Sequence, residues 1–251
     1  MRVEFLGVPI DALTLDETVA KAVTAMQTRD RCQHVALNVA KLVKMQSNEE
    51  LRRDVLNSDI IGVDGMGIVW GARLLGLDIP ERVTGIGLFE RMIAICAQQG
   101  FRPYFLGAQE DVLKSALDNL RIKYPALQIA GWRDGYFDVN QEDEVILAIR
   151  ESGADCLFIG LPTPQKERLL AKFRDKLDVP FIMGVGGTFD VVAGAVNRAT
   201  VWVQDTGLEW LYRLLQEPRR LFWRYFTTNT AFALLLARAC IVRTLKSADK
   251  S

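Results

Sequence analysis

Asp64 stands between Val63 and Gly65, where an apolar run gives way to a polar turn. A carboxylate there can act as a general base, taking the proton of an attacking hydroxyl. The same Asp-Gly pair is also common turn chemistry, with the side chain capping the next helix. Arg82 lies in the polar stretch Glu81-Arg82-Val83-Thr84-Gly85. Its planar guanidinium offers paired donors matched to phosphate oxygens and can neutralise a departing diphosphate; a loop arginine can equally be a solvated charge. Further on, Gly184-Val185-Gly186-Gly187 follows the apolar run Phe181-Ile182-Met183. Missing side chains there let a ligand phosphate approach the backbone N–H groups, although a tight structural turn uses the same residues.

Other chemistries find less support. The glycine turn resembles a dinucleotide fingerprint, but Phe189 fills the third glycine position of G-x-G-x-x-G, and no early β-α-β copy is present. His34 is the sole histidine and opens an apolar strand, which favours a structural role. Cys32, Cys96, Cys156 and Cys240 are scattered without a Cys-x-x-Cys pair and read as buried thiols. Neither a Ser-His-Asp triad nor a His/Cys zinc site is supported. Glu142-Asp143-Glu144 reads as the charged first turn of a helix, not as a metal-holding Asp-x-Asp. The expectation is no metal and no cofactor.

The elements that position these residues alternate along the chain. Strands are expected at Phe5–Ile10, His34–Asn38, Ile60–Val63, Arg102–Leu106, Leu127–Ala130, Cys156–Ile159 and Phe181–Met183. Helical spacing marks Asp16–Thr28, Lys41–Ser47, Met66–Leu75, Glu90–Gln99, a helix ending near Lys123, Glu142–Glu151 and Lys166–Lys176. Such alternation predicts an α/β fold, a Rossmann-like parallel sheet with helices on both faces. Ligands of open parallel sheets bind outside the carboxyl ends of the strands. The positions to inspect are therefore Asn38, Asp64, Gly107, the Leu161–Gln165 loop and Gly184–Gly187.

Composition adds a second feature. Of 251 residues, 49% are hydrophobic, which suits a packed core rather than disorder. Net charge is zero, against a nucleic-acid partner held by a global positive field. From Asp205 onward, however, eight Lys/Arg face four Asp/Glu. Leu208, Leu211, Tyr212 and Leu215 follow helical spacing from a start at Thr206-Gly207, and Pro218 breaks or restarts the helix. Arg219, Arg220, Trp223, Arg224 and Tyr225 then mix cations with interfacial aromatics, as a segment lying on an anionic leaflet would. Packing on the domain or on another subunit is the alternative. The expected division is 1–204 for the catalytic domain and 205–251 for a helical, membrane-associating appendage. The N-terminus lacks the apolar core of a signal peptide. No uncharged apolar run approaches the roughly 18 residues of a bilayer span; the longest, Ala231 to Ala237, stops at Arg238.

Taken together, these residues resemble the WecG/TagA/CpsF family of bacterial glycosyltransferases over nearly the whole chain. The resemblance rests on Asn38, Val63-Asp64-Gly65, Arg82-Val83-Thr84-Gly85, Phe105-Leu106-Gly107 and Gly135-Tyr136-Phe137. It continues through Gly160 to Glu167, Gly184-Val185-Gly186, Phe189-Asp190, Ala193-Gly194 and Arg198-Ala199. Gly207 to Leu214 with Glu217-Pro218 is the most distinctive piece. It implies an inverting, metal-independent enzyme passing a hexose-type sugar from a UDP-sugar to a polyprenyl-diphosphate-linked saccharide. Asp64 would be the base, with Asn38 and Arg82 lining the site. Gly107, Gln165, Lys166, Gly184, Gly186 and Asp190 would bind substrate, with Arg213, Arg220 and Arg224 of the appendage. The protein would sit on the inner face of the cell membrane, and a homo-oligomer is compatible with the pattern. Ala36, Lys166 and Trp223 replace a threonine, a glutamine and an arginine frequent in the family. Among exopolysaccharide, teichoic acid and antigen products, these departures favour an exopolysaccharide.

Two rivals remain open on the sequence. A nucleotide-dependent oxidoreductase predicts tight NAD(P) binding and none of UDP. A non-catalytic scaffold docking by its tail predicts that Asp64 and Arg82 can be replaced without consequence.

Overall fold

The computed structural model describes residues 1–248 apart from 198, 201, 204–206 and 217, and omits the side chains of 213, 220, 221, 224, 244 and 246–248. The chain opens with β1 (Arg2–Phe5) and β2 (Val8–Asp11), an antiparallel ribbon in which Phe5 faces Val8. The single strand expected from Phe5 to Ile10 is thus a hairpin. Leu6 and Gly7 both take positive φ (49° and 75°), the backbone of a two-residue reversal. α1 (Leu15–Thr28) starts at a reciprocal cap: the Glu17 N–H donates to the Thr14 hydroxyl, and the Thr14 N–H donates to the Glu17 carboxylate.

The order then runs β3 (Cys32–Leu37), α2 (Val39–Ser47), α3 (Glu49–Leu56), β4 (Ile60–Val63), α4 (Met66–Leu74) and α5 (Gly85–Gln99). β5 (Pro103–Gly107), α6 (Glu110–Lys123), β6 (Gly131–Arg133), α7 (Glu142–Glu151), β7 (Cys156–Gly160), α8 (Gln165–Lys172), β8 (Phe181–Gly184) and α9 (Thr188–Val192) follow. α3 was not anticipated, and β6 lies just beyond the strand expected at Leu127–Ala130.

β3 to β8 form one six-stranded sheet in the order β4-β3-β8-β7-β5-β6, every pairing parallel. β4 and β5 are buried throughout and β7 in all but its last residue, so they read as continuous apolar runs rather than alternating ones. Alternate side chains feed opposite layers. Phe105 and Phe158 join Phe89, Phe181 and Phe189 in one core, while Leu106, Leu157 and Ile159 pack with Ile146 and Leu169 in another. Phe89 meets the edge of Phe158 with ring centroids 4.9 Å apart.

The chain ends in α10 (Glu209–Gln216) and the long α11 (Pro218–Ala248). α10 begins after the expected Thr206-Gly207, and Thr206 lies outside the described residues. Pro218 opens the second helix, where its missing N–H costs nothing. Phe232 of α11 is buried against a third core that includes Phe5, Leu42 and Ile68. A Cβ on Gly71 of α4 would lie 3.0 Å from Phe232, Leu236 and Phe5 alike. The two helices approach this closely because Gly71 has no side chain.

The opposite side of α11 exposes Phe222, Trp223, Phe226, Leu234, Ile241 and Val242. Tyr225–Arg243 is 19 residues with mean hydropathy 1.3, long and apolar enough to cross a membrane and little covered by the rest of the chain. This overturns the expectation that no such segment exists. Requiring an uncharged run stops the count at Arg238, whereas one internal cation leaves a helix of about 28 Å apolar on average.

Candidate active site

Because all six strands of the sheet run parallel, the residues that end them share one edge. β3 and β4 pair with Leu37 opposite Val63, and the Asp64 N–H donates to the Leu37 carbonyl at 3.0 Å. Asn38 and Asp64 therefore leave neighbouring strands side by side. The Asn38 side-chain oxygen accepts from the Lys41 N–H at 3.0 Å, capping α2 and leaving its NH2 group as the donor it can offer a ligand.

Arg82 is brought to Asp64 by the backbone. The Val83 N–H donates to the Val63 carbonyl at 2.9 Å, laying this stretch along the end of β4. Thr84 caps α5, and the Gly85 N–H donates to Asp64 Oδ1 at 3.2 Å. Burial pushes the Asp64 carboxyl above its ordinary range. The Gly85 N–H opposes that rise, the Glu209 charge adds to it, and the Arg82 and Lys41 charges oppose it. A carboxylate poised upward in this way is a better proton acceptor near neutrality than an exposed one.

Glu209 comes from α10. Its carboxylate is 3.7 Å from the Arg82 guanidinium, and both side chains are largely buried. Gly207 seats the segment before it. A Cβ there would lie 2.6 Å from Met66 at the start of α4, and its φ is +75°. The appendage is thereby folded over the end of β4.

A second group of charges gathers between α2 and α8. Lys166 and Glu167, early in α8, are buried, as is Lys41 in α2. Lys41 Nζ lies 3.0 Å and Lys166 Nζ 3.1 Å from the same oxygen, Glu167 Oε1. Burial and then the Lys41 charge bring the Lys166 ammonium down to about 8, against the pull of Glu167. Burial would raise Glu167, but the two lysines override it and hold its carboxyl at about 2. The Lys166 stem crosses the end of β8, where a Cβ on Gly184 would clash with its Cε.

The remaining expected residues are dispersed. Gly107 ends β5 packed on the backbone of Gly160 in β7. Gly186 has φ +55° in the turn after β8, and Asp190 is half-buried on α9, with its carboxylate toward Gly187. Gln165 does not join Lys166: it lines a groove of about 320 Å³ with Glu50, Leu51, Asp54, Pro164 and Arg168. The side chains of Arg213, Arg220 and Arg224 lie outside the described residues, as does Arg198. Among the described residues no three His, Cys, Asp or Glu side chains are placed to hold a metal ion.

The fold thus unites Asn38, Asp64 and Arg82, and separately Lys166 and Gly184. Lys41, Glu167 and Glu209 were missed as site residues. Lys41 follows Asn38 by three positions and Glu209 opens the Glu-Trp-Leu-Tyr segment, but the contacts that give both meaning are remote in sequence.

The model of the family described as "Glycosyl transferase WecG/TagA/CpsF family" matches residues 3–246. A relative from Bacillus subtilis (strain 168), named N-acetylglucosaminyldiphosphoundecaprenol N-acetyl-beta-D-mannosaminyltransferase, is 32% identical over 186 residues. The match covers 74% of this chain and 71% of the relative.

Proposed function

The chain belongs to the WecG/TagA/CpsF family of glycosyl transferases, and we propose that it moves a hexose-type sugar from a UDP-sugar to a polyprenyl-diphosphate-linked saccharide. The relative's name supplies the acceptor class, a sugar carried on diphosphoundecaprenol. The product would be a bacterial cell-surface polysaccharide, an exopolysaccharide by preference.

The observation that carries the mechanism is the Asp64 carboxylate, raised by burial and oriented by the Gly85 N–H beside Arg82. Asp64 takes the proton of the acceptor hydroxyl as its oxygen attacks the anomeric carbon. The bond from that carbon to the diphosphate oxygen breaks on the opposite face, and UDP leaves with the electron pair. One displacement inverts the anomeric centre. Arg82 and the arginines of the appendage balance the charge on the leaving diphosphate, a role that elsewhere falls to a cation. Asn38 offers an amide N–H to the sugar or phosphate.

We retain the division into a catalytic unit (1–204) and an appendage (205–251). α11 is fixed to the body through Phe232 and Leu236 while its outer aromatics are exposed. That arrangement favours a helix lying on the membrane over one crossing it, with the protein on the cytoplasmic face where nucleotide sugars are made.

The test is a UDP-sugar panel with a polyprenyl-diphosphate-linked N-acetylglucosamine acceptor. Asp64→Asn should lose about 10²- to 10⁴-fold in kcat, the usual worth of a general base, while still binding UDP. Full turnover by a folded Asp64→Asn protein would eliminate the base, and failure of every UDP-sugar to bind would eliminate the donor class.

A further inference from the structure

Lys41 holds a cation where two separate effects oppose one. It is 8% exposed, and it lies in the first turn of α2, whose free N–H groups already carry partial positive charge. A buried ammonium is costly unless it is paired and hydrogen-bonded. Glu167 meets that need at 3.0 Å, yet Lys166 stands 3.1 Å from the same Oε1, so the carboxylate has a cation without Lys41. Pairing Glu167 does not by itself require Lys41.

Its surroundings give the charge a use. The Lys41 N–H donates to Asn38 Oδ1, so the same turn fixes the Asn38 side chain. A Cβ on Gly65 would lie 3.4 Å from Asn38 Cβ, which sets this turn against the chain leaving Asp64. One turn on, Lys44 Nζ donates to the Thr163 carbonyl at 3.1 Å. Two successive turns of α2 are thereby tied to α8 and the loop before it. The Lys41 charge is felt at Asp64, Lys166 and His34 as well as at Glu167. Burial, and then the Lys41 charge, bring the His34 imidazole on β3 down to about 4, so it is neutral at neutral pH. Asp64 is also faced by Arg82 before α5 and by Glu209 of α10, whose charges offset each other. Lys41, Lys166 and Glu167 together keep one positive charge.

We propose that Lys41 is a positioning residue for the transfer: clamped by Glu167, it seats Asn38 beside Asp64 and supplies buried positive charge that favours the Asp64 carboxylate over the carboxylic acid. It acts through Asp64 and Asn38 rather than on the sugar. The inference rests on the reading of Asp64 as the base. Without Lys41 the carboxyl, already displaced upward by burial, would rise further and hold a proton for more of the time. A carboxylic acid cannot take the proton of the acceptor hydroxyl.

Lys41→Met in the full chain removes the charge, keeps a stem of similar length and leaves Glu167 paired with Lys166. Carbon-13 NMR of carboxyl-labelled aspartate follows Asp64 directly, its resonance being the one missing from Asp64→Asn. The Asp64 midpoint should rise by about half a pH unit or more in Lys41→Met. The acid limb of kcat/KM, read with the UDP-sugar that the donor panel identifies, should move up with it. Lys41→Arg retains the charge and should move both by less than half as much. Loss of packing alone would lower the melting temperature and leave both midpoints in place. An Asp64 midpoint unchanged in Lys41→Met overturns the proposal. A midpoint that rises while the acid limb stays fixed upholds the charge coupling and overturns Asp64 as the base instead. If Lys41→Met does not fold, the parent carrying carbon-13 at lysine Cε decides the matter. Its Lys41 resonance, assigned from Lys41→Arg, must show an inflection at the Asp64 midpoint that is lost in Asp64→Asn; no inflection overturns the proposal.

Discussion

The Arg82 guanidinium and the Glu209 carboxylate, remote in sequence, stand 3.7 Å apart at the end of β4. Through this pair the C-terminal helices act on the electrostatics of Asp64, because the Glu209 charge adds to the upward displacement of its carboxyl.

Glu209→Gln should therefore ease Asp64 back toward the ordinary carboxylate range. On the proposed mechanism Asp64 must be deprotonated to act, so activity falls as pH drops through its pKa. Removing the Glu209 charge moves that acid limb to lower pH, while loss of the tie costs about tenfold or less in kcat/KM. A pH series of UDP release for parent and variant measures both. An acid limb that moves upward, or stays fixed, excludes the coupling.

The lysine pair makes a prediction about stability. In the folded chain the Lys166 ammonium titrates at about 8, against an ordinary 10.5. Between those values the unfolded chain holds the proton and the folded chain does not, so stability rises with pH across that window. The whole effect is about 3 kcal/mol at most. Urea midpoints should climb from pH 8 to 10 more steeply for the parent than for Lys166→Met, and at pH 7 the variant should be no less stable.

Glu167 has the opposite sign. Its carboxyl is held at about 2, below the ordinary 4.5, so its contribution is present above about 4.5 and is lost as pH falls toward 2. Glu167→Gln leaves two buried ammonium groups facing each other and should destabilise by about 3–5 kcal/mol, measured by denaturant unfolding. A loss under about 1 kcal/mol would mean that the lysines do not depend on it.

The seat of α11 can be tested on its own. Gly71→Val places carbon where Phe232, Leu236 and Phe5 already stand. The helix should lift and loosen, so that trypsin cuts its backbone at the already exposed Arg238 and Arg243 well before the sheet. Equal cleavage rates in parent and variant would contradict the docking.

Replacing the outer aromatics Phe222, Trp223 and Phe226 by serine should abolish sedimentation with phosphatidylglycerol vesicles while UDP still binds. Retained sedimentation would place the membrane contact elsewhere.

What the sequence reveals here follows from what was local. β3 and β4 are short apolar runs bounded by polar turns, so their ends, and with them Asn38 and Asp64, can be placed by pattern. α3 is obscured because only Leu51, Val55 and Leu56 interrupt its charged residues. β6 is three half-buried residues at the sheet edge and has no apolar run to announce it. The hairpin turns on Leu6, which pattern reading takes for a strand residue. Lys41 with Glu167, and Arg82 with Glu209, are joined only by tertiary packing. No spacing rule reaches across such separations.

α4 begins two residues after Asp64 and carries Gly71, the seat of α11. On the proposed reading, in which α11 lies on lipid and Asp64 is the base, that short helix becomes a strut of fixed length between the two. The height at which the protein floats then sets how far a lipid-borne hydroxyl must rise to be deprotonated. Acceptors would be sorted by the reach of their saccharide from the headgroup plane, as well as by the identity of the terminal sugar.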